Sequence, residues 1–182
     1  MKWVVVFLIG VVALVGVFRV LPNIRQGNAV ETSKEKAEDG QASYKKGDFN
    51  KAITSLEESV ELDPENSQAQ RSLGQSYEAT GKLDKAAKAY KDSLSADPNQ
   101  PETLYNLAII YKSQNKTKEA IAELEEAVKL NKDFVGARLI LGDLYAQQNQ
   151  PEKAKKQFKT LIKMEPFGLD VKMVQKKLDG LK

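Results

Sequence analysis

A 34-residue period governs this chain. The segments KGDFNKAITSLEESVELDP, TGKLDKAAKAYKDSLSADP, QNKTKEAIAELEEAVKLNK and QNQPEKAKKQFKTLIKMEP align without a gap at that spacing. Ala52, Ala86, Ala120 and Ala154 fall in phase, and Pro64, Pro98 and Pro166 close three of the four units. A period of this length means that one supersecondary unit recurs, each copy burying an apolar face that it cannot bury alone. Within a unit, a first apolar-periodic run (67–80, 101–114, 135–148) meets a turn at Gly81, Asn115 or Asn149, then a second run (83–96, 117–130, 151–164). That pattern predicts a helical hairpin.

Side-chain sizes support the same reading. Gly74, Ala108 and Gly142 in the first helix, and the recurring Ala in the second, remove bulk where antiparallel helices must approach closely. Leu73, Leu107 and Leu141, Tyr77, Tyr111 and Tyr145, and Leu56, Tyr90, Leu124 and Phe158 fill the spaces beside them, and are read as packing residues. Proline ends second helices at Pro64, Pro98 and Pro166, and suits the first helical turn at Pro101 and Pro151.

In period, in the placing of its small residues and in its closing prolines, the chain resembles the tetratricopeptide repeat family over residues 33–168, as four repeats (33–66, 67–100, 101–134, 135–168). The segment GQASYKKGDF also looks like the family's opening-repeat variant. The expected fold is all-α: a right-handed superhelical solenoid of four helix–turn–helix repeats. In the first repeat Lys36 and Asp39 stand where later units are apolar, giving the polar outer face of a terminal repeat. Lys132 replaces the closing Pro of the third unit and Thr117 is polar where Phe49 and Leu83 are apolar, so the joint between units three and four departs from the pattern. Over 169–182, Val171, Val174, Leu178 and Leu181 share a helical face opposed by Lys172, Lys176 and Lys177, which reads as a capping helix with a solvated basic face.

The resemblance implies a protein-binding module without catalytic residues, its concave groove lined by the first helices. By family position the groove takes Lys34, Ala37, Gln41, Tyr44 and Lys45, then Gln68, Arg71, Gln75, Glu78 and Ala79. It continues with Glu102, Tyr105, Asn106, Ile109, Lys112 and Ser113, and ends with Gly136, Leu139, Asp143, Ala146 and Gln147. Tyr105, Ile109 and Leu139 are apolar for an exposed wall, which calls for a covering ligand or for burial against the adjacent helix. One subclass of the family clamps a C-terminal carboxylate. Arg71, Gln75 and Asn106 approximate three of its five places, but Gly136 and Ile140 stand where two cations belong, so that clamp is rejected. The leading expectation is a membrane-tethered scaffold that holds a peptide or helix of a partner and assists assembly or localisation of a complex; secretion, pilus and cytochrome-maturation machineries use similar proteins. A self-associating structural protein is the alternative.

Composition narrows the chemistry. With no Cys and no His the chain has no thiolate nucleophile, imidazole base, zinc finger or haem–His ligand, and no cofactor is called for. Catalysis would fall to carboxylates such as Asp143 and Glu102, which read as ordinary helix charges. The net charge of +3 conceals three parts: residues 34–152 carry 16 basic and 21 acidic side chains, whereas 153–182 carry nine and three. An acidic body argues against nucleic acid as a partner.

From Trp3 to Phe18 sixteen consecutive residues are apolar or Gly. As a helix that run spans about 24 Å, extended toward the ~30 Å hydrocarbon core by Val20, Leu21 and the stems of Lys2 and Arg19. Residues 1–21 are therefore expected to be a single-pass anchor and 22–32 a polar tether. A signal sequence cut after Ala29 is the competing reading, opposed by the long flank carrying Arg19 and Arg25. Lys2 and these arginines pull in opposite directions, so the side of the membrane is undetermined, leaning extracytoplasmic.

Overall fold

The computed structural model describes residues 27–166 and 168–181. Nine α-helices and no strand occur among the described residues: α1 (27–45), α2 (Phe49–Leu62), α3 (Ser67–Ala79), α4 (Leu83–Ala96), α5 (Pro101–Ser113), α6 (Thr117–Leu130), α7 (Val135–Gln147), α8 (Pro151–Met164) and α9 (Val171–Asp179). Each packs chiefly on its neighbours in sequence, as a solenoid requires.

The hairpin turns form because one residue per unit takes a left-handed conformation: Gly47 (φ 80°), Gly81 (71°), Asn115 (59°) and Asn149 (53°). Gly and Asn tolerate that region. The next N–H then reaches back to an otherwise orphaned helix carbonyl, Lys82 to Tyr77 O (2.8 Å), Lys116 to Tyr111 O (2.9 Å) and Gln150 to Tyr145 O (2.9 Å). The expected hairpins are thus present at the expected turns.

Close approach then does what the side-chain sizes foretold. Ala52, Ala86, Ala120 and Ala154 are fully buried, and a Cβ on Gly74 would stand 2.6 Å from the Tyr90 ring. On Gly142 it would stand 2.5 Å from Phe158. Tyr77 and Tyr145 are buried and donate their hydroxyls to Glu57 and Glu125 on the second helix of the preceding unit. Lys91 holds the same register and lies 5.4 Å from the Tyr111 ring centroid. Burial, then the neighbouring carboxylate, pushes both Tyr77 and Tyr145 well above the ordinary tyrosine range.

The joints between units are also periodic. Asp63, Asp97 and Asn131 accept from the N–H two residues on, at 3.2, 3.0 and 3.0 Å. This Asx turn leads the chain out of each second helix without needing Pro. The departures at Thr117 and Lys132 therefore leave the third joint intact: Asn131 makes the turn, and Arg138 Nε donates to the Lys132 carbonyl (2.8 Å). In the fourth unit the same place is Glu165, whose side chain is a methylene longer, and the exit differs: Glu165 itself is left-handed (φ 42°).

Beyond it Asp170 caps α9, accepting from Met173 N (3.1 Å), and α9 packs on α8 with Val174 fully buried and Leu178 and Leu181 against the core. The capping helix stands as expected, with one correction. Lys177 is not on the solvated face: it donates to Asp143 Oδ1 at 2.7 Å, while Lys172 and Lys176 are exposed. Lys177 lies one period after Asp143, so α9 occupies the place of a first helix in an incomplete fifth unit.

At the other end, residues 27–32 correct the expected tether, because they belong to α1. Low apolar content did not prevent helix there, since Ser33 is anchored on α2: Ser33 Oγ donates to Ser59 O (3.0 Å) and Ser59 Oγ to Ser33 O (2.8 Å). A cut after Ala29 would fall inside α1. The polar outer face of α1 is present, with Asp39 exposed and Lys36 paired to Glu58 at 2.6 Å. Among the described residues no helix is long and apolar enough to cross a membrane; the expected anchor over 1–21 lies outside them.

Candidate functional site

Along the wall expected of the first helices α1, α3, α5 and α7, hollows open between α1 and α3 and between α3 and α5. The hollow between α1 and α3, about 240 Å³, is lined by Gln41, Tyr44, Lys45, Gln68, Arg71, Ser72 and Gln75. It unites six of the residues singled out in the sequence: Gln41, Tyr44, Lys45, Gln68, Arg71 and Gln75. Across Arg71 a second hollow, about 280 Å³, is lined by Asp97, Asn99 and Gln100 of the joint and Glu102 of α5. Lys34 lines a third, with Glu38, Asp63 and Glu65.

Tyr44 is half-buried, its ring 5.3 Å from that of Phe49. Glu78 is not a free wall carboxylate: it accepts from the Tyr90 hydroxyl (2.7 Å). Burial, then the hydrogen bond to Glu78, pushes Tyr90 far above the ordinary tyrosine range. The ring of Tyr90 is fully buried, yet its tip reaches the wall residue Glu78 from behind. Sequence reasoning counted Tyr90 as filler. The available signal was its register: Leu56, Leu124 and Phe158 are apolar, and Tyr90 alone adds a hydroxyl.

Farther along, the wall covers itself. Tyr105 stacks on Phe134 (centroids 5.0 Å apart, planes 36°), and both Tyr105 and Leu139 pack against the core. These two apolar residues therefore need no ligand to account for them. Ile109 is half-buried and is not among the side chains packed against the core. Asp143 is engaged by Lys177. Ala37 is a core residue, 6% exposed, and shows only at the edge of the hollow that Lys34 lines. Lys112, Ser113, Ala79 and Gln147 are exposed, and Gly136 and Ala146 half-buried. Glu102 and Asp143 share no hollow, and no group of three His, Cys, Asp or Glu is placed to hold a metal among the described residues.

A search of curated proteins returns no match. Among solved structures, the chain is similar to the MamA protein (24% identity over 83% of this chain and 84% of that one, TM-score 0.72). It is also similar to YrrB, described as a tetratricopeptide repeat protein with an unusual peptide-binding site (20%, 85% and 85%, TM-score 0.70). PilF of Pseudomonas aeruginosa is a further likeness (20%, 85% and 69%, TM-score 0.66). Identities at this level establish the fold alone. Family models described as tetratricopeptide repeat match residues 39–101, and 79–127 with 111–178. Together with the 34-residue period and the observed hairpins, these matches place the chain in the tetratricopeptide repeat family, whose members generally mediate protein–protein interaction as non-catalytic scaffolds.

Proposed function

We propose that the wall of first helices holds a segment of a partner protein, and that the apolar N-terminal run tethers this module to a membrane where the partner's complex assembles or is localised. One observation carries the reading: in a chain whose interior repeats, the wall does not. Interior places recur as Leu73, Leu107 and Leu141 or as Ala52, Ala86, Ala120 and Ala154. Half-buried wall places read Arg71, Tyr105 and Leu139, and Gln41, Gln75, Ile109 and Asp143. Packing constrains the recurring places, and the variable ones that the chain does not itself cover, Gln41, Arg71, Gln75 and Ile109, are free to match an outside partner.

The test is recovery of partners by the full chain from native membranes, comparing wild type with the triple variant Arg71→Ala, Gln75→Ala, Ile109→Ala. Loss of a specific partner with unchanged helix content is expected; undiminished recovery overturns the wall as the binding face. The tether is tested separately. Removing residues 1–21 should move the chain from the membrane fraction to the soluble one, and continued membrane retention would contradict an anchor there.

A further inference from the structure

The wall offers a ligand different chemistry along its length. Between α1 and α3 the hollow is lined by two cations, Lys45 and Arg71, and by no carboxylate. Neither forms an ion pair among the described residues. Arg71 is half-buried among Gln41, Gln68, Ser72 and Gln75, which can meet the remaining valences of a bound carboxylate. A guanidinium partly withdrawn from water gains most from a carboxylate it can grip with two parallel bonds. Beyond Arg71, Asp97 and Glu102 repel a second acid. Past them stands Ile109, half-buried and unclaimed by the core.

Resting on the wall as the binding face, we infer that its ligand is a protein segment bearing a side-chain carboxylate and, a short way along, one apolar side chain. The acid seats on Lys45 and Arg71, and the apolar side chain covers Ile109. Packed helices stand about 8–10 Å apart, and Ile109, one period and four residues after Arg71, lies about 6 Å farther along its helix. With an extended chain advancing about 3.3 Å per residue, the two anchors are about three or four residues apart. An unbroken acidic run does not fit. The local cationic hollow is set in a body, residues 34–152, with 16 basic and 21 acidic side chains, which disfavours acidic chains that miss the seat.

The probe is a library of random dodecapeptides displayed with their C-termini fused, panned on the full chain in detergent micelles. Enriched peptides are then made both with amidated and with free C-termini. The expected result is enrichment of one Asp or Glu spaced three or four residues from a Leu, Ile, Val or Phe, with affinity that falls as salt is added. Arg71→Glu should weaken binding about ten-fold or more and turn the preference toward Lys or Arg at the acid's place. Ile109→Asp should remove the apolar preference and keep the acidic one. Peptides that bind the wall with no acidic preference, or only with a free C-terminal carboxylate, overturn this inference and leave the wall reading standing. Enriched peptides indifferent to Arg71→Glu, Lys45→Glu and Ile109→Asp overturn both.

Discussion

The two halves of the wall differ although the interior behind them is the same. In units one and two Lys45 and Arg71 face an open hollow without an acidic partner. In units three and four the chain has supplied its own covering: Phe134 on Tyr105, and Lys177 of α9 on Asp143. Behind both halves a bulky ring presses on a glycine, Tyr90 on Gly74 and Phe158 on Gly142. The repeat dictates the interior, and each unit's surface is then spent differently: the last units on closing the solenoid, the first two on something outside it.

The largest effects should come from breaking what the halves share. Gly74→Val and Gly142→Val each force a side chain into a ring and should cost about 1–3 kcal/mol, read by denaturant unfolding. Markedly unequal losses would break the claim of a common interior. Alkali should also act on both halves. Tyr77, Tyr90 and Tyr145 are raised above the ordinary value of 10.0, so their unfolded forms ionise first and stability falls as pH climbs past about 10. Absorbance at 295 nm should show these three of six tyrosines ionising only together with loss of helix; early ionisation of all six would contradict their burial.

Smaller effects separate the halves. Tyr90→Phe, which deprives Glu78 of its donor, should cost about 1 kcal/mol and alter the first half alone. Lys177→Ala breaks a partly exposed pair, worth at most about 1 kcal/mol. Hydrogen exchange should quicken in α9 only, and faster exchange in α3 would mean that the two ends of the wall are coupled. Least of all, Arg71→Ala and Gln75→Ala should leave stability within about 0.5 kcal/mol, because nothing in the fold leans on them.

The periodic features were readable from sequence because each is local and repeated: the left-handed turn at Gly81, Asn115 and Asn149, the buried alanines, the small-against-large pairs. What escaped depends on contacts between distant places. Lys177 sits beside the apolar stripe of α9, and its partner, 34 residues away, shows only in three dimensions. Residues 27–32 looked too polar for structure, but Ser33 is fastened to Ser59, 26 residues on. Whether a ligand or burial accounts for Tyr105 stayed open because Phe134, which covers it, stands at a joint position that is Asn66 and Gln100 in the earlier units. For the wall itself, sequence located the right helices and six residues of one hollow; which cations lack partners among the described residues required the structure.

The most direct test of the wall as the binding face is a photo-cross-linking scan of the full chain in its native membranes. A benzophenone side chain replaces Gln41, Gln75 or Asn106 on the wall, or the exposed Thr54, Lys88 or Ala122 on the second helices. The account predicts that wall positions capture one common partner segment, most strongly from Gln41 and Gln75, while the second-helix positions do not. Capture from Thr54, Lys88 or Ala122 with none from the wall would contradict it.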